Sequence, residues 1–268
     1  AFVPPVDQQN SGIFWIGERP IGDSLLQLGA RVEKTNYQPS QGLKKQSFNN
    51  GAASVGIVVP VNDITELAFN VDYASRAPVG EELFANGAHL ATGTFELGDS
   101  SLKSEKATNV SASYRLNTTK SQLTVTAYHY QFDDFIFQRA SGLEMDELPV
   151  FIYDQEDATF TGMDIGGKTN VIDWDAGSWQ VGVNYDQVKA KLNDSGDLPR
   201  IPGNKGSLSS TVVHNNWKLT LDYAKNATQT QVANYELTTE GYEDFNLYAS
   251  YSWSSKLGES SIYLQGKK

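Results

Sequence analysis

His89 stands in the stretch EELFANGAHLATGTFELG, with Glu81, Glu82 and Glu96 within a few residues. Imidazole nitrogen and carboxylate oxygen are ordinary zinc ligands, held at about 2.0–2.2 Å and usually four to an ion. Gly87 and Gly93 flank His89, and without a Cβ each lets the chain turn sharply. The candidate metal-ligand set is His89, Glu82 and Glu96; on spacing alone the favoured reading is a solvated loop histidine beside surface carboxylates. There is no HxH or HxxxH pair, so a full coordination sphere needs groups from elsewhere.

The other two histidines have weaker surroundings. His129, in LTVTAYHYQFDDF, is either a lumen ligand near Asp133 and Asp134 or a rim histidine among aromatics. Strict alternation from Leu123, Val125 and Ala127 sends it to their face unless a bulge intervenes. His214, in VVHNNW, reads as a polar turn residue. The acidic groups EMDEL (Glu144, Asp146, Glu147) and YDQED (Asp154, Glu156, Asp157) either gather divalent cations or keep a loop solvated. No GxSxG, HExxH, P-loop or dinucleotide fingerprint occurs. Neither catalytic residues nor a resident cofactor is expected.

Composition bounds what must position these groups. The chain has 268 residues, no cysteine, and 32 acidic against 21 basic side chains. The excess of negative charge, with no basic stripe, argues against a nucleic-acid partner and for attraction of cations. The start AFVPPVDQQN carries no signal-peptide pattern. Nowhere are eighteen consecutive residues apolar, but a barrel strand crosses a membrane with about 9–11 residues, only every second one apolar.

That alternation is present. In DFNLYASYSWS, Phe245, Leu247, Ala249, Tyr251 and Trp253 oppose Asn246, Tyr248, Ser250 and Ser252. WKLTLDYAK, SWQVGVNYDQ and ELAFNVDYA repeat the period of two. The predicted strands, about twelve, lie near 11–20, 23–35, 47–59, 64–76, 103–117, 120–138, 151–170, 177–192, 204–215, 217–230, 242–254 and 259–266. Their connections alternate between short and long. This is the plan of an all-β antiparallel meander in an outer-membrane barrel, with the long loops outside. Residues 77–102 form one such loop, and RASGLEMDELP another.

The block NVDYASRAPVGEELFANGAHLATGTFELGDSSLKSEKATNVSASYRL, with YQFDDFIFQ and ATFTGMDI downstream, resembles the barrel of TonB-dependent outer-membrane receptors. Within them, EELFANGAHLATGTFELG is similar to the zinc-uptake branch. The resemblance implies that residues 1–268 are part of a receptor β-barrel domain of about twenty-two strands, without its plug domain and final strand. It further implies a Gram-negative outer-membrane location, contact with outer-membrane lipid, TonB engaged through the plug, and a metal ion or metal complex as cargo. Siderophore or haem uptake, and a passive porin-like barrel, are the alternatives.

Overall fold

The computed structural model describes residues 2–40, 42–256 and 258–268; Gln41 and Leu257, in two of the predicted connections, lie outside the described residues. The strands in chain order are β1 (Val6–Ile21), β2 (Ser24–Pro39), β3 (Gln46–Asn62) and β4 (Thr65–Arg76). An insert follows with α1 (Gly80–Phe84), β5 (Asn86–His89) and β6 (Thr94–Leu97). The meander resumes with β7 (Glu105–Asn117), β8 (Ser121–Met145), β9 (Leu148–Trp174) and β10 (Gly177–Leu192). It ends with β11 (Gly196–Asp197), β12 (Lys205–His214), β13 (Trp217–Asn226), β14 (Tyr242–Ser255) and β15 (Gly258–Lys267). Neighbours along β1-β2-β3-β4-β7-β8-β9-β10-β12-β13-β14-β15 pair antiparallel in one open sheet.

One register runs through the wall. Leu116, Leu123, Gly167, Val183, Leu208, Tyr223 and Phe245 are successive cross-strand partners from β7 to β14, so they share a face. Leu219, Leu221, Trp217 and Phe245 are exposed on it, as a lipid-facing surface requires. The opposite face carries Ser54, Asp72, Asn109 and Tyr130 in one row, with Asn109 donating to Asp72 at 3.0 Å. Aromatics gather at the short-turn rim: Trp217 and Tyr251 have ring centroids 4.8 Å apart, and the Trp174 indole donates to His214 Nδ1 at 3.1 Å. His214 thus accepts a bond from an interface tryptophan at a turn.

The strands β8 and β9 depart from expectation. They run 25 and 27 residues, about two and a half times what a crossing needs, and their outer halves stand beyond the wall. RASGLEMDELP is no loop: Asp146 and Glu147 take φ of 51° and 62°, and two successive positive φ values make the tight turn that closes a hairpin.

The buried side chains collect at this outer end. Leu83 and Phe84 of α1 pack with Tyr37, Leu102 and Ile136. Ala158, Ala190, Leu192 and Leu198 form a second cluster against Phe132, Phe135 and Phe160. Each fully buried large apolar side chain contributes about 1.5–3 kcal/mol, so the outer loops are held in place by packing.

Candidate metal centre

Arg76, the last residue of β4, fixes where the insert begins. It meets Glu105 of β7 through Nε at 3.0 Å and Nη2 at 3.1 Å, and Glu82 of α1 through Nη1 at 3.0 Å and Nη2 at 3.1 Å. Such two-pronged guanidinium–carboxylate pairs fix geometry as well as adding energy. Glu82 also accepts the Val79 N–H at 2.8 Å, and Glu105 the Ile136 N–H at 2.9 Å. The chain returns under α1 at Gly98, where a Cβ would come within 2.7–2.8 Å of Ala85 N, Glu82 O and Phe84 N. Only glycine allows that approach.

Between these points β5 and β6 form a short hairpin. Its turn is made by Gly93, at φ 65°, with the Thr92 and Gly93 N–H groups donating to His89 O at 3.2 and 3.0 Å. Gly87, expected to be a second turn, instead lies in β5 directly opposite Glu96, where it puts no side chain between Glu96 and His89. Phe95, Glu96 and Leu97 then pair parallel with Val150, Phe151 and Ile152. Phe151 pairs on its other edge with Ala140, so the hairpin extends the sheet beyond β9.

This brings one imidazole and two carboxylates together. Glu96 Oε1 accepts from His89 Nδ1 at 2.8 Å, from Thr94 at 3.0 Å and from Thr92 at 3.2 Å. The Phe2 ring stacks on the imidazole, 4.2 Å away and 9° from parallel. Glu81 completes the group, with candidate donor atoms of Glu81, His89 and Glu96 all within 4.8 Å of one another. A tetrahedral ion with bonds of about 2.0–2.2 Å spaces its ligands about 3.3–3.6 Å apart, so a shift of about 1 Å closes the set.

The structure therefore joins His89 and Glu96 and holds Glu82 on Arg76; the second carboxylate beside His89 is its chain neighbour Glu81. Residues adjacent in a helical turn point in different directions, and sequence spacing does not distinguish them. Tyr153, which touches both Glu81 and Glu96, had no sequence signal at all.

The remaining candidates are accounted for elsewhere. His129 pairs with Val110 and Thr161 on the outward face, its Nδ1 3.1 Å from Thr161 Oγ1. The bulge of β8 falls between Phe132 and Phe135, too late to turn His129 into the lumen. Asp154 pairs with Arg139 at 2.6 Å, Glu156 accepts the Asp194 and Ser195 N–H groups, and Asp157 that of Asp134. Asp154 and Asp157 brace the β8–β9 hairpin, and Glu156 ties it to the turn after β10. Among the described residues, Glu81, His89 and Glu96 are the one such cluster of three or more metal-ligating side chains.

Burial by itself would raise the Glu96 carboxyl, but the hydrogen bonds from His89, Thr94 and Thr92 outweigh it, and the group lies below its ordinary 4.5. A lowered pKa means that ionised Glu96 stabilises the metal-free hairpin above about pH 4.5, and that this contribution is lost as the pH falls through the lowered value. Amide exchange of residues 86–97, corrected for intrinsic rates, is expected to accelerate below pH 4.5 while that of the β7–β8 pairing does not.

The family described as TonB dependent receptor-like, beta-barrel matches residues 1–267. Among solved structures, "Copper transporter OprC" superposes with a TM-score of 0.80 at 16% identity, over 98% of this chain and 46% of that one. The FrpB iron transporter from Neisseria meningitidis (F3-3 variant) gives 0.71 at 15% identity, over 98% and 41%. The ferric citrate transporter FecA in its unliganded form gives 0.73 at 12%, over 97% and 40%. The chain thus spans less than half the length of each of these proteins, and at such identities the likeness is one of fold. With nearly its whole length matched and its strands in the order of a barrel wall, the chain belongs to the TonB-dependent receptor β-barrel family, in the outer membrane of a Gram-negative bacterium.

Proposed function

We propose that the receptor carrying this chain imports a divalent metal ion, zinc, across the outer membrane, with TonB acting through a plug domain. Residues 77–104 capture the ion outside. The observation that carries this reading is the convergence of Glu81, His89 and Glu96 within 4.8 Å on an insert of the long-loop rim. No covalent chemistry is required of the wall.

Ligand type narrows the cargo. Thiolates are absent and Met145 and Met163 are the only thioethers in the chain, whereas cuprous ions favour such soft ligands. A nitrogen–oxygen set suits zinc or cupric ions. A second reading, uptake of an organic ferric chelate or haem, is favoured by a cavity of about 480 Å³ between the β8–β9 hairpin and the loops after β10 and β13. Its lining includes Phe137, Tyr235 and Arg200, the last 5.6 Å over the Phe151 ring.

Calorimetric titration of the purified receptor with Zn²⁺, Cu²⁺, haem and a ferric siderophore separates the readings. Zinc is expected to bind in the micromolar range or tighter and to support growth of the parent strain, but not of a deletion strain, under zinc limitation. Failure of the deletion strain only on an iron source would overturn the assignment.

A further inference from the structure

Tyr153 belongs to β9, beside Ile152, which pairs with Leu97 of β6. Its hydroxyl donates to Glu81 Oε1 at 2.9 Å and lies 3.4 Å from Glu96 Oε2. The two carboxylates come from separate elements, and Glu96 is only 2% exposed. Bringing them together without a donor between them would leave like charges facing in a poorly solvated site. The phenol supplies that donor, while His89, Thr92 and Thr94 are all engaged at Glu96 Oε1. Among the described residues, Glu81 Oε2 and His89 Nε2 have no hydrogen bond and are free to meet an ion.

We infer that Tyr153 is the positioning residue of this metal site: from the β8–β9 hairpin it sets the separation and orientation of Glu81 and Glu96, and so the geometry in which the ion is held. This rests on reading Glu81, His89 and Glu96 as metal ligands. A fixed, narrow separation favours a small four-coordinate ion over calcium, which takes more ligands at longer range. Outer partners of ligating groups commonly govern affinity by 10- to 100-fold.

The test uses the detergent-purified receptor with Co²⁺ as a spectroscopic probe, comparing the parent, Tyr153→Phe, His89→Ala and Arg139→Gln. Tyr153→Phe keeps the ring and removes the hydroxyl; Arg139→Gln breaks the hairpin's pair with Asp154 without touching the site. Tyr153→Phe is expected to weaken Co²⁺ and Zn²⁺ binding by roughly 10- to 100-fold. At saturation it should also change the intensity of the visible Co²⁺ bands, which report coordination geometry. Unaltered affinity, an unaltered saturated spectrum, or the same spectral change in Arg139→Gln would overturn the inference. Failure of the site itself looks different: either the parent binds no Co²⁺ or His89→Ala binds it as the parent does.

Discussion

His89→Ala is expected to weaken zinc binding by ~100-fold, about 2.8 kcal/mol, with the barrel folded as before. His89 offers the one imidazole of the cluster, and its ring is held by Glu96 at 2.8 Å and by the stacked Phe2. That fixed tautomer and orientation are characteristic of metal-binding imidazoles. Glu82→Ala should cost less than ~10-fold, about 1.4 kcal/mol, because Glu82 is engaged with Arg76 and acts on the site only through α1. Calorimetric titration of both variants beside the parent checks the order. Equal losses would mean that docking of the insert, and not the imidazole, governs affinity, and an unaltered Kd in His89→Ala would return this histidine to a solvated loop role.

Arg76→Ala is expected to release the insert from the wall. Glu82 and Glu105 have side chains only 12% and 9% exposed, and without the guanidinium each keeps a backbone N–H but no neutralising charge. Removing one partner of a fully buried pair costs about 3–5 kcal/mol. Arg76 itself is 42% exposed, so solvent screening lowers the figure to about 2 kcal/mol. The loss is local, because the wall strands keep their ladders. Limited proteolysis should cut within residues 77–104 of Arg76→Ala at a concentration that leaves the parent whole. Equal resistance would show that the packing of Leu83 and Phe84 suffices to hold the insert.

Much of the wall was legible because a strand between lipid and lumen has two different solvents, and its side chains must alternate. Trp217, Leu219 and Leu221 on β13, and Phe245 and Leu247 on β14, share one face by register, as their spacing requires. The same logic settled His129 once its bulge was located. The tip of the β8–β9 hairpin, beyond the predicted strands, was not legible. It is exposed, with Leu143 at 65% and Met145 at 47%, so no buried face alternates with a solvated one and residues 139–149 resemble a loop. The insert is a different case. His89 and Glu96 are close in sequence and meet across four-residue strands too short to show a period. Which of Glu81 and Glu82 lies beside His89 turns on the phase of a single helical turn, and Tyr153 arrives from more than fifty residues away.

The parallel pairing of β6 with β9 also orders events in folding. It joins residues 95–97 to 150–152, across a stretch of chain that must first be drawn together as β7, β8 and the turn at Asp146–Glu147. Closing so long a loop gains nothing until the hairpin itself exists. The β5–β6 hairpin is therefore expected to be the last part of this region to form and the first to come apart. An ion held at Glu81, His89 and Glu96 is accordingly expected to slow loss of the insert without hastening assembly of the wall.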